Sequence, residues 1–208
     1  MTANWKFIKY LVSIILIGTL FASCVQSDYT KLVKSELAKG IRRDSLLFNI
    51  HFGDSKEDFY GKCFDLNKQG LVTEGPGNAW VQYFFRDSIA SKKSREIRLL
   101  FMPQYDSTTS ISEMRMEFSY SGWAPFNRDF QSDSLQGRAK KLLMKWYKGN
   151  EFIKTEINNK DIAVKVDGNR RILVHIKDPQ SVAVEMQDIL NPLFAHSITS
   201  KEKRPTDK

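Results

Sequence analysis

The chain has 208 residues, carries 32 Lys and Arg against 24 Asp and Glu, and has a formal net charge of +8. Its 41% hydrophobic and 12% aromatic content is ample for a packed core of roughly one domain's length. With 2 Cys in all, the chain has no disulfide framework, so its fold must stand on that core.

The first element is a targeting segment. Lys6 and Lys9 precede an apolar run from Tyr10 to Leu20, and Phe21-Ala22-Ser23 leads into Cys24. A positive n-region, an apolar h-region and small residues at a cleavage point compose an export signal, which makes residues 1–23 a signal peptide and Cys24 the mature N-terminus. An uncleaved spanning anchor is the other reading, but it needs about 20 consecutive apolar residues. This run is shorter and closes on Thr19, Ser23 and Gln26-Ser27-Asp28. Losing Lys6 and Lys9 lowers the net charge from +8 to +6, so the mature chain stays basic.

This segment resembles the signal of bacterial lipoproteins, whose motif ends in small residues and the cysteine that becomes a diacylglyceryl-modified N-terminus. It departs from that pattern at Phe21, where the family carries Leu. The resemblance covers the first two dozen residues and implies a lipid on Cys24, hence a membrane-tethered protein of the bacterial cell envelope. The expected destination is the outer membrane, on its periplasmic face or at the cell surface. A basic envelope protein can meet acidic lipid headgroups, lipid-A phosphates or an anionic partner; nucleic acid is not expected there.

Residues 24–44 are then a lipidated N-terminus and a short amphipathic helix. Tyr29, Leu32, Val33 and Leu37 form its stripe, Asp28 is the candidate cap and Gly40 lies just past the end. Lys31, Lys34, Lys39, Arg42 and Arg43 make the stretch basic. Such a helix could lie against headgroups, stay a solvated tether, or pack on the domain.

A first half, 45–126, begins with the apolar run Leu46–Phe52, short enough for a strand. Asp54 with Glu57, or Ser55 with Asp58, then starts a helix in capping-box fashion, and Gly70 ends it. Phe59, Cys63 and Leu66 share its inner face, so Cys63 reads as a small buried hydrophobe. Four strand-like runs follow: Leu71–Thr73, Trp80–Phe85, Ile97–Phe101 and Met114–Tyr120.

A second half, 127–196, opens with a helix at Ser132-Asp133-Ser134 that turns Leu135, Ala139, Leu142, Leu143 and Trp146 inward and ends at Gly149. Strands follow at Ile162–Val166, Ile172–Ile176 and Val182–Met186, the first two joined through the hairpin signal Asp167-Gly168-Asn169. Residues 197–208 form a basic tail without apolar periodicity, expected to be disordered. The expected class is therefore α+β, with helices packed on an antiparallel meander sheet in two successive helix-then-three-strand halves.

That order, together with the glycine leading into a helix at Phe52-Gly53-Asp54-Ser55-Lys56-Glu57, is similar to small envelope lipoproteins and secreted inhibitors built as a helix pair and a meander. The resemblance implies an assembly or inhibitory binding module without catalytic residues. The whole chain is also similar to the functionally unassigned lipoproteins of Bacteroidota, which implies an address and no activity.

No residue cluster announces chemistry. His51, His175 and His196 are isolated, and no nucleophile elbow, phosphate loop or dinucleotide fingerprint is present, so neither cofactor nor metal is expected. Asp54, Glu57 and Asp58 beside His51 could form a hydrolase site, but helix capping uses the same residues. His175, within an apolar strand, reads as a half-buried, satisfied residue.

Two surface features remain as candidate partner sites. Arg138, Lys141, Lys145 and Lys148 make a basic stripe on the second long helix, and Tyr120 and Trp123 belong to an aromatic connection between the halves. The expected function is a non-catalytic binding or assembly module whose partner is an envelope protein or an anionic glycan or lipid. The alternatives are an inhibitor or immunity lipoprotein against an exported toxin, and a hydrolase.

Overall fold

The computed structural model describes residues 27–87, 95–157 and 160–195; the signal segment, Cys24, His196 and the basic tail lie outside them. Among the described residues four helices, α1 (Asp28–Ala38), α2 (Lys56–Lys68), α3 (Ser132–Trp146) and the single-turn α4 (Pro192–Ala195), accompany eight strands. The strands are β1 (Thr73–Glu74), β2 (Val81–Asp87), β3 (Arg95–Tyr105), β4 (Ile111–Tyr120), β5 (Ile153–Ile157), β6 (Lys160–Asp167), β7 (Arg170–Ile176) and β8 (Ser181–Asp188). The class is α+β, as the sequence patterning predicts. Among the described residues no helix is long and apolar enough to cross a membrane.

All strand pairs are antiparallel and form one sheet in the order β1-β2-β3-β4-β8-β7-β6-β5. Each half has a long helix followed by four strands, matching the four runs read in the first half and adding one to the three read in the second. The extra strand there, β5, is a five-residue edge with Lys154 and Glu156 exposed, too short and too polar to carry a clear apolar alternation. The halves meet along the β4–β8 seam, where Met114 pairs with Met186, Met116 with Val184 and Phe118 with Val182.

α2 and α3 cover one face of the sheet, over Phe101, Phe118, Ile172 and Val174. α1 covers the opposite face, its buried Tyr29 and Val33 packing on Val164, Val166 and Leu173. Successive residues of β7 serve the two cores in turn, as strand alternation demands. Of the three readings for α1, docking on the domain is the one observed. Its apolar stripe is spent on the sheet, leaving Lys31 and Lys34 outward.

Caps explain the helix starts. Ser27, rather than Asp28, caps α1 by accepting the Thr30 N–H at 3.2 Å. Ser55 and Asp58 close a full capping box on α2, while Asp54 stays outside it, accepting the His51 N–H at 2.7 Å and pairing with Lys62 at 2.6 Å. Gly70 leaves α2 at φ 69°, the left-handed conformation that ends helices.

The run Leu46–Phe52 is not a regular strand. It folds back on itself: Phe48 and Asn49 take φ 51° and 62°, Leu46 N–H donates to Ile50 O and Ile50 N–H to Leu47 O, both at 2.8 Å. Leu46, Leu47, Ile50 and Phe52 are all buried by this turn, a pattern that periodicity alone cannot tell from a strand.

Candidate functional site

Residues 42–48, residues 145–148 and single residues of β2, β3 and β7 converge on one groove of about 720 Å³ on the α2–α3 side of the sheet. Residues 42–48 form one wall, the last turn of α3 and the residues after it form the other, and Tyr83 and Leu99 supply the floor. Arg42, Arg43, Lys145, Lys148 and Arg170 all line it, against Asp44 as the acid. Five cations and one carboxylate give the groove a strong positive field.

These cations are not equivalent. Arg42 is held by Asp44 at 2.8 Å and Asp188 at 3.3 Å. Lys145 sits in the last turn of α3, where it offsets the exposed carbonyl end. Arg43 and Lys148 are exposed and, among the described residues, have no acidic partner.

Arg170 is only 4% exposed. Its Nη1 donates to Ser45 O at 2.8 Å, its guanidinium lies 4.5 Å over the Tyr147 ring, and Asp167 stands 3.9 Å away. Its Nε and the Tyr147 hydroxyl have no hydrogen-bond partner among the described residues. Burial pulls the Arg170 pKa below its usual range and pushes that of the Tyr147 phenol above it.

Beneath the groove, buried polar side chains fix its walls. Lys165 is fully buried, pairs with Asp167 at 2.8 Å and donates to Asn150 O. Asp167 also accepts the Asn150 N–H at 2.8 Å. Asn169, at the tip of the β6–β7 hairpin, accepts the Arg43 N–H at 2.5 Å and donates to Asp44 and Asp188 at 3.0 Å each. The hairpin therefore holds Arg42, Arg43 and Asp44 in place.

Gly149 is fitted to this site. It takes φ 144°, and a Cβ there would overlap the Asp167 carboxylate. Gly149→Ala is expected to cost about 2 kcal/mol, a fall of about 4–8 °C in Tm measured by calorimetry.

Glu36 joins α1 to the same hairpin, accepting the Gly168 N–H at 3.0 Å and the Asn150 amide at 2.7 Å and pairing with Lys39 at 2.5 Å. Burial pushes its carboxyl up, but these bonds together outweigh that and hold its pKa below the ordinary 4.5. A depressed carboxylate contributes stability that is complete above its unfolded value and is lost as pH falls through the folded one. Protection of the α1 amides from hydrogen exchange is thus expected to fall below the ordinary carboxylate range, and Glu36→Gln should lower it at neutral pH. Unchanged protection in acid would reject this role.

The predicted basic stripe is divided by the structure. Lys145 and Lys148 line the groove, although Lys148 lies beyond the end of α3; Arg138, half-buried, and Lys141, exposed, do not. Tyr120 is 3% exposed and packs edge-on against Phe130 at 5.1 Å, so it is a core residue rather than a contact for a partner. The Trp123 indole N–H is within 3.2 Å of Gln131 Oε1 and Pro179 O, which turns the ring into the loop. The outward aromatic there is Phe126, 89% exposed.

Asp54 and Asp58 are engaged as described above, and among the described residues no three His, Cys, Asp or Glu side chains converge as metal ligands would. Cys63 is partly buried against the core, and burial pushes its thiol up to about 11. His175 is half-buried as expected but not satisfied: its Nδ1 has no partner among the described residues, and burial lowers its pKa, with Lys160 adding to the effect.

Sequence reasoning missed Arg170, Phe48 and Tyr83. A signal for Arg170 was present in Arg170-Arg171, two charges entering an apolar strand directly after a hairpin turn. Comparison of the chain with protein-family models, curated proteins and solved structures gives no match.

Proposed function

We propose that this chain is a lipid-anchored, non-catalytic binding module of the bacterial cell envelope that captures an anionic ligand in the groove between residues 42–48 and the end of α3. The observation that carries the reading is the convergence of Arg43, Lys148 and the buried Arg170 on one concavity with no acid among the described residues to neutralise the first two. Cations held by a buried scaffold and left without counter-charges are organised for an external anion. The anchor rests on the targeting segment ending at Cys24.

Two measurements test this reading. The mass of the full chain purified from bacterial membranes is expected to lack residues 1–23 and to carry a diacylglyceryl group on Cys24; an unmodified chain starting at Met1 would remove the anchor. Calorimetric titration with inorganic pyrophosphate is expected to show binding that weakens with rising salt. No heat at low salt would remove the anion site.

A further inference from the structure

The floor of the same groove specifies more than charge. Phe48 meets Tyr83 edge-on at 5.0 Å, Tyr83 stacks on Phe85 at 5.5 Å, and Phe85 lies 5.8 Å from Trp146. These rings form a continuous aromatic row from the turn at 42–52 to the last turn of α3, and Phe48, Tyr83 and Trp146 line the groove. Each keeps part of its surface exposed, Trp146 to 36%.

Phe48 holds its place at a cost. A bulky residue at φ 51° is strained, and the next residue, Asn49, is left-handed too. The strain places an aromatic ring on the groove wall where Gly or Asn would suit the backbone better.

We propose that the ligand is an amphiphilic anion: a phosphate or similar headgroup held by Arg43, Lys148 and Arg170, with its alkyl or acyl chain lying along the Phe48–Tyr83–Trp146 row. This inference rests on the anion-binding reading above. A glycan fits less well, since its hydroxyls need donors and acceptors along its length, whereas the ring faces of Phe48, Tyr83 and Trp146 with Leu99 offer mostly hydrocarbon, and the charged side chains are cations apart from Asp44. Burying a hydrocarbon chain on this row adds affinity that a bare anion cannot gain.

The test uses the full chain in dodecyl maltoside micelles, titrated calorimetrically with hexyl phosphate and with inorganic phosphate, micelles alone serving as the blank. Hexyl phosphate is expected to bind at least about tenfold more tightly. Phe48→Asn, which suits the left-handed turn and removes the ring, is expected to shrink the ratio of hexyl phosphate to inorganic phosphate affinity towards one.

Equal affinity of the two probes for the unmodified chain would overturn the amphiphile and leave the anion site standing. Failure of both to bind would overturn both readings. An affinity ratio unaffected by Phe48→Asn would place the alkyl chain away from this row and overturn the inference. Should that variant unfold, Tyr83→Ser supplies the same comparison from the other side of the row.

Discussion

Asp167→Ala is expected to destabilise the protein by about 3–5 kcal/mol, the usual consequence of stripping one partner from a buried ion pair. Lys165 is fully buried and Asp167 is its counter-ion at 2.8 Å, so the substitution leaves an ammonium with the Asn150 carbonyl alone for company. It also removes the acceptor for the Asn150 N–H and the carboxylate nearest Arg170. In urea denaturation the midpoint should fall by more than about 1 M.

The double variant Lys165→Met, Asp167→Ala should recover much of this loss, because a pair of apolar residues leaves no buried charge. A single-variant loss below about 1 kcal/mol would mean that water reaches Lys165 and that this network does not fix the groove walls.

The second large effect is on binding. Arg43→Glu with Lys148→Glu is expected to weaken binding of a phosphate-bearing ligand by about 100-fold or more, at about 1.4 kcal/mol per tenfold. Arg42 is engaged by Asp44 and Asp188, whereas Arg43 and Lys148 are exposed cations without an acidic partner among the described residues, with Lys145 beside them at the carbonyl end of α3. Both are exposed, so the double variant should unfold within about 1 kcal/mol of the original protein. Loss of binding without loss of stability separates ligand contact from scaffold. The comparison variant, Arg138→Glu with Lys141→Glu, lies off the groove and should bind nearly as the original does.

Much of the fold was legible because local chemistry and tertiary packing agree. The capping box at Ser55 and Asp58, the left-handed Gly70 and the Gly168-Asn169 hairpin are local devices, and each appears where its residues predict it. Failures arose where tertiary packing decided the outcome. Leu46–Phe52 has the composition of a strand, yet it turns at Phe48 and Asn49 because four of its side chains reach the same core. β5 is a polar edge whose pairing with β6, Ile153 opposite Val164, is long-range information.

The site was legible only in fragments. Lys145 and Lys148 stood out as helix-spaced charges and Arg42-Arg43 as a basic stretch, but nothing local linked them. The link is the β6–β7 hairpin, whose Asn169 binds the Arg43 backbone 126 residues away and whose Asp167 accepts the Asn150 N–H just past Lys148. Tyr120 shows the complementary case: an aromatic beside Gly and Trp resembles a recognition loop, whereas Phe130, distant by ten residues, packs over it.

Native mass spectrometry of the full chain, extracted from bacterial membranes in mild detergent, decides whether the groove carries an anionic ligand. The original protein should retain a non-covalent anionic adduct beyond the lipid proposed for Cys24, and the Arg43→Glu, Lys148→Glu variant should be free of it. An original protein without any adduct, or a variant that keeps the same one, would contradict the assignment of the groove.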